Sequence, residues 1–235
     1  MRKSNILLIG FIITMITCLF LIPGNYAGVQ ASLKQLINLA HGPEGKLKIK
    51  ISLPKRTLTL YENGVPYKTY PVTIGKPESR SPVGEWVVIN KGKKPETGPL
   101  GSRWLGLNVP WNVYGIHGTN KPWEIGRATS KGCIRLHNQN VEELYEWVPL
   151  GTEVKIIGKR PDVTIDNILK PGATGYKVTD LQEKLRELNY YSSYLDAKYG
   201  SKTKSAVMEL EAQFELERDG IADWNVLSLL GLGLN

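Results

Sequence analysis

From Lys46 onward the chain alternates. In "KLKIKISL", Leu47, Ile49, Ile51 and Leu53 take every second place and lysines fill the gaps. That is the period of a strand with one buried and one wet face. Leu58 and Leu60 continue the pattern into Glu62-Asn63-Gly64, a hairpin turn signal, and Val65 to Ile74 read as the return strand. "GEWVVIN", "GLNVPWNVYGIHG" and "TEVKIIG" are further extended runs, with the Gly-, Pro- and Lys-rich loop "KGKKPETGPLG" between the first two. "NQNVEELYEWV" breaks the rhythm. Its Val141, Leu144, Tyr145 and Val148 fall at helical spacing, and Asn138 or Asn140 is placed to cap the helix.

The period changes again after "KRPDVTIDN", a polar stretch that reads as a linker over 159–168. Val178, Leu181, Leu185 and Leu188 line one helical face. Ala206, Val207, Leu210 and Phe214 line a second, and Trp224, Leu227 and Leu230 a third. The pattern predicts a mainly β domain with a short helix over 46–158, then a small all-α, three-helix domain over 169–235. The latter is near the size at which a single core is marginal.

The first 31 residues are of another kind. Met1-Arg2-Lys3 is basic, Ile6 to Ile22 is almost wholly apolar, and Val29-Gln30-Ala31 ends the segment with small residues at the positions that precede a cut. This reads as a secretory signal, with an uncleaved membrane anchor as the rival. The apolar run sits at the short limit of the roughly 17–25 residues that span a bilayer. Residues 32–45 form a leader, with His41 on its surface before a Gly-Pro loop. Cys18 lies inside the apolar run, followed by "LFLI", which argues against lipidation.

Composition adds one asymmetry. The chain is 41% hydrophobic and 22% charged, ordinary for a globular protein with a real core. Residues 1–160 carry 22 basic and 10 acidic side chains, a net of +12, whereas 161–235 carry 8 and 12, a net of −4. A basic half on an exported chain suits an anionic cell envelope and its wall polymers better than nucleic acid. Trp86, Trp104, Trp111, Trp123 and Tyr114 interleave with lysines, but strands flanked by Gly-Pro loops account for them as core and groove residues.

If the signal is removed, Cys133 is the sole cysteine left. A lone thiol in an oxidising compartment is a liability unless it has a use. It stands in "ATSKGCIRLHN", with His117 16 residues upstream and His137 4 downstream. Either histidine is a candidate base for a cysteine nucleophile. Gly132 admits close approach of a carbonyl to the backbone, so amides near Cys133 are candidate oxyanion donors. In an extended segment Arg135 shares the face of Cys133. One cysteine and two histidines without a nearby aspartate make a poor zinc site, and no metal or other cofactor is expected.

The longer string is more specific. "IHGTNKPWEIGRATSKGCIRLHN" resembles the signature of L,D-transpeptidase catalytic domains, the YkuD-like family: His117-Gly118-Thr119, Gly126, Ser130, Gly132, Cys133, Ile134, Arg135 and Asn138 match. "SPVGEW" at 81–86 is similar to a further family segment. The family often has histidine two residues before the cysteine; here it is Lys131. The resemblance implies a β-sandwich, with Cys133 as nucleophile and His117 as base. The Gly118 carbonyl would orient the imidazole. Gly132, Arg135, Ser130, Thr119 and Lys131 would serve the oxyanion or substrate, with Lys131 also a candidate to hold the thiolate by its charge. The implied reaction joins two peptidoglycan stems. Cys133 attacks the third residue of a tetrapeptide donor, D-alanine leaves, and an acceptor amine resolves the thioester into a 3-3 cross-link. Water as acceptor would make it an L,D-carboxypeptidase, and a dead site a non-catalytic wall-binding protein.

The tail resembles the small three-helix peptidoglycan-binding domain. Leu169, Gly172, Gly175, Val178, Leu181-Gln182, Leu185, Asp196, Gly200, Thr203, Ala206-Val207 and Asp219-Gly220 carry the match. Most are core or turn positions, so they speak for the fold more than for binding. Leu210-Glu211 departs from the family's usual Phe-Gln.

Overall fold

The computed structural model describes residues 42–160 and 165–232. The signal or anchor at 1–31 and the leader, apart from its last residues, lie outside this range, as do four residues of the linker. No helix among the described residues is long and apolar enough to cross a membrane.

Ten strands, one α-helix and a single 3-10 turn (Pro122–Glu124) fill the first part of the described residues: β1 (Leu47–Ser52), β2 (Thr57–Glu62), β3 (Val65–Pro71), β4 (Ile74–Gly75), β5 (Gly84–Lys93), β6 (Arg103–Leu107), β7 (Tyr114–His117), β8 (Ala128–Ser130), β9 (Ile134–Arg135), α1 (Asn138–Trp147) and β10 (Glu153–Ile157). Eight of the strands run in the order β3-β2-β1-β10-β5-β6-β7-β9, and β4 pairs with β8. The long strand β5 is the pivot. Glu85 to Val87 pair with β10, while Val88 to Lys93 pair with β6, with a register shift between Val88 and Asn90. The expected sandwich is thus one ladder that changes partners along β5. An irregularity of this kind bends a strand and lets one sheet face two ways.

The alternation seen in the sequence is realised in β1. Leu47, Ile49 and Ile51 are buried and Lys48 and Lys50 are exposed. Each such apolar side chain contributes about 1.5–3 kcal/mol on burial. They join Leu58, Leu60, Trp86, Leu105, Ile116, Ile134 and Ile156 in one core, which α1 closes with Val141 and Leu144. Asn63 and Gly64 take positive φ values of 50° and 82°, the backbone of the expected two-residue hairpin.

Two expectations change. The return strand does not reach Ile74: it ends at Pro71, and Thr73 instead exchanges backbone hydrogen bonds with Arg135 at 2.9 and 3.0 Å. The chain leaves the hairpin to brace the second half of the ladder, a long-range pairing that local periodicity does not encode. The helix is not capped by an asparagine either. His137 is the N-cap, without a side-chain hydrogen bond, and Asn138 is the first helical residue.

The helical region contains α2 (Tyr176–Glu187), α3 (Ser201–Gln213) and α4 (Trp224–Leu229). Val178, Leu181, Leu185, Val207, Leu210 and Leu227 are fully buried. Leu188, Phe214 and Trp224 are not, at 50%, 49% and 45% exposure. Leu188 and Phe214 are C-caps and Trp224 opens α4. Two of the three lie just past the last helical residue and the third at the first, where a side chain is only half covered.

Residues from Glu44 onward group as one unit, and the two halves share specific contacts. The Glu85 carboxylate accepts hydrogen bonds from Arg186 at 3.1 and 3.2 Å, from Lys155 at 2.9 Å and from the Leu195 amide at 3.3 Å. Burial alone would raise this carboxyl. Lys155, the Leu195 amide and Arg186 more than offset that and hold it below its usual range. Trp111 bridges the halves, edge-on to Trp86 at 5.5 Å and 5.1 Å from the Tyr176 ring. In the linker Arg160 pairs with Asp180 and Glu183 on α2.

Candidate active site

Strands β7 and β9 run parallel, with Ile116 opposite Ile134 and His117 opposite Arg135. One step back along each strand sets Gly115 opposite Cys133. Side chains at paired positions, and at positions two apart, share a face. His117, Arg135 and Cys133 therefore lie on one face, with His117 diagonal to Cys133. Arg135 acts by its charge on both the imidazole and the thiol, and the Gly115 amide acts on the thiol.

The backbone around Cys133 is held by its neighbours. Ser130 is fully buried; its hydroxyl donates to the Cys133 carbonyl at 2.6 Å and accepts from the Gly132 amide at 3.0 Å. Gly132 has φ of +111°, and a Cβ there would lie 2.6 Å from Cε1 of Tyr114. Only glycine fits, because both the backbone angle and the tyrosine ring exclude a side chain. Lys131 is exposed.

His117 is 2% exposed and stacks on Trp104 at 5.7 Å. Its Nδ1 lies 2.6 Å from the Gly118 carbonyl. A carbonyl only accepts, so Nδ1 carries the proton and Nε2 is left with a lone pair. Burial pushes the imidazole pKa down to about 4. Backbone hydrogen bonds to Gly118 and Leu100 oppose this, and Arg135 adds to it. Burial also pushes the Cys133 thiol up, against the Gly115 backbone amide and the Arg135 charge. The resting pair near neutral pH is therefore thiol and neutral imidazole. Arg135 is a cation that favours the thiolate.

Arg135 is fixed by Glu124 at 2.7 Å, and its buried Nε has no partner among the described residues. Thr119 is buried. Its amide donates to Asn138 Oδ1 at 3.0 Å, its hydroxyl accepts from the Lys121 amide at 3.0 Å, and Ser102 also donates to Asn138 Oδ1 at 3.3 Å. Asn138 thus ties the chain after His117 to the turn before β6. His137, the other candidate base, lines a separate hollow of about 790 Å³ with Thr119 and Asn120 and without Cys133. Cys133 opens into a groove of about 700 Å³ bounded by Leu100, Trp104, Asn108, Val113 and Tyr114. Trp123 is 65% exposed and does not line that groove, whereas Tyr114 does. Among the described residues no three His, Cys, Asp or Glu side chains gather into a metal-binding group.

Residues 46–156 match the family model described as the L,D-transpeptidase catalytic domain. The model is that of the YkuD family, and the match takes in a little under half of the chain. Residues 174–230 match a second model, the "Putative peptidoglycan binding domain". Among curated proteins, "Putative L,D-transpeptidase YkuD" of Bacillus licheniformis is 50% identical over 109 residues, which is 46% of this chain and 64% of that protein. Its namesake in Bacillus subtilis is 49% identical over 108 residues, again 46% and 64%. The chain therefore spans a little under two thirds of these relatives. Among solved structures, an L,D-transpeptidase from Mycobacterium smegmatis aligns at 20% identity with a TM-score of 0.41, over 48% of this chain and 59% of that one.

Within residues 46–156, three contributors carry no site signal in the sequence. Glu124 fixes Arg135, Trp104 covers His117, and the Gly115 amide faces the thiol. Strand register brings Trp104 and Gly115 to the site, and the short turn Pro122–Glu124 brings Glu124. No spacing rule marks them.

Proposed function

We propose that this protein is an exported L,D-transpeptidase that forms 3-3 cross-links between peptidoglycan stems. One arrangement supports this above all: a half-buried lone thiol in a groove, diagonal to a neutral imidazole whose Nδ1–H is fixed by a backbone carbonyl.

As the tetrapeptide donor binds, Nε2 of His117 takes the thiol proton while Sγ of Cys133 attacks the carbonyl of the third stem residue. The Gly118 carbonyl holds the ring and stabilises the imidazolium, the part a carboxylate plays in a Ser-His-Asp triad. Backbone amides at Cys133 and Gly115, with Arg135 behind them, are the candidate donors for the oxyanion. Collapse breaks the C–N bond, and the imidazolium gives its proton to the departing D-alanine amine. A thioester remains. The side-chain amine of a second stem attacks it and loses a proton to His117, and Cys133 leaves as the thiolate, which that proton restores to the thiol. Ser130, Gly132 and Thr119 act on the loops around the site, and the exposed Lys131 is a further candidate to meet the substrate. The helical region would hold the enzyme on the wall, and the basic, apolar N-terminus supports export across the membrane.

The test is the intact mass of the full chain with disaccharide-tetrapeptide, beside Cys133→Ala. An adduct in the parent alone, with dimer accumulating, is the expected result. An adduct that yields only tripeptide would make the enzyme an L,D-carboxypeptidase. No adduct and no product from any stem peptide would overturn the enzyme and leave a wall-binding protein.

A further inference from the structure

The groove that holds Cys133 is not built by the β domain alone. Lys198, from the segment between α2 and α3, lines it too. Its position is set by an unusual backbone. Ala197 has φ of +56°, a left-handed conformation that costs a residue with a Cβ roughly 1–2 kcal/mol. Such a residue persists only where its surroundings hold it. Ala197 is fully buried, and it packs in the core of the β domain, not in that of the helical region. Its amide donates at 3.1 Å to Oε1 of Gln182, which is itself fully buried on α2. The Lys198 carbonyl accepts from Gln182 Nε2 at 3.0 Å, from Thr203 at 3.2 Å and from the Gly200 amide at 2.8 Å. Its own amide donates to Asp196 at 3.0 Å.

The backbone of Lys198 is thus anchored on every side while its side chain is exposed, and no ion pair engages its ammonium among the described residues. Lys94 lines the same groove, and no Asp or Glu does. A cleft lined by one sign of charge concentrates ligands of the other sign.

We propose that Lys198 is a substrate-specificity residue, through which the helical domain completes the stem-peptide groove by pairing with a free carboxylate of the stem. This rests on the transpeptidase reading for the identity of the ligand. It is distinct from any hold on the wall: through Lys198 the helical domain also reads the peptide in the groove.

Equilibrium binding of disaccharide-tetrapeptide to the full chain carrying Cys133→Ala tests it without turnover. Adding Lys198→Ala should weaken Kd roughly threefold to tenfold, and Lys198→Glu more, the range of one solvent-facing charge pair in a confined groove. Lys198→Arg should restore binding, and a stem with its carboxylates amidated should bind all variants alike. Melting curves for each variant separate a lost contact from a lost fold. Unchanged Kd in Lys198→Ala and Lys198→Glu would overturn the proposal, as would a parent that does not bind the tetrapeptide. Turnover by the Cys133-intact chain is judged separately, so the enzyme reading can stand if this one falls.

Discussion

The Gly118 carbonyl oxygen sits 2.6 Å from Nδ1 of His117, one residue before it in the chain. A residue and its own neighbour thus fix the tautomer, and no carboxylate is required. With the imidazole at about pH 4 and the thiol above its usual range, the pair is neutral over the intervening span. The acid limb of kcat/KM should therefore fall near pH 4–5 instead of at the 6.5 of an ordinary histidine. A pH–rate profile for acylation checks this; an acid limb near 6.5 would mean that the ring is hydrated in the working enzyme.

The same burial affects stability. Unfolded, His117 takes a proton as pH falls through about 6.5; folded, it resists until about 4. Its favourable contribution is fully present above pH 6.5. It is lost progressively between 6.5 and 4, by on the order of 3 kcal/mol. Urea melts of the parent and His117→Gln at pH 7 and pH 4.5 should differ in slope with pH, the variant lacking this component.

Gly132→Ala should cost the site more than the fold. The new methyl meets Tyr114 at 2.6 Å on a backbone at φ +111°, a strain of about 1–2 kcal/mol. The loop that presents Cys133 must shift, and a displacement on the order of 1 Å lowers acylation by roughly 100-fold. Single-turnover acylation measured beside the melting temperature would separate the two effects.

Asn138→Ala removes the acceptor of both the Thr119 and the Ser102 amides. Two backbone donors lose their partner in a partly buried place, which costs roughly 2–4 kcal/mol. Chemical denaturation should show that loss. Amide hydrogen exchange should rise first at residues 101–102 and 118–119.

Glu85 and Arg186 join the two halves. A double-mutant cycle of Glu85→Gln and Arg186→Gln should give a coupling of about 1 kcal/mol, modest because Arg186 is partly solvated. Limited proteolysis of the linker should accelerate in Glu85→Gln. Unchanged cleavage would assign the cohesion of the halves to Trp111 and Tyr176 instead.

What the sequence determined by itself is local. Alternation named the core face of β1, Asn63-Gly64 named its hairpin, and helical spacing named Val178, Leu181 and Leu185, because each depends on neighbours a few residues away. The string from His117 to Asn138 held the residues that the site brings together. What tertiary structure decided is which partners those residues meet. Parallel pairing of β7 with β9 places Cys133 diagonal to His117, and Arg135 finds Glu124 across a turn. Asn138 gives its side chain to two distant amides instead of capping its own helix, and Ala197 leaves the helical core for that of the β domain. Spacing along the chain fixes which side of an element a residue faces. Register between distant strands, and the need to satisfy every buried donor, fix what stands opposite.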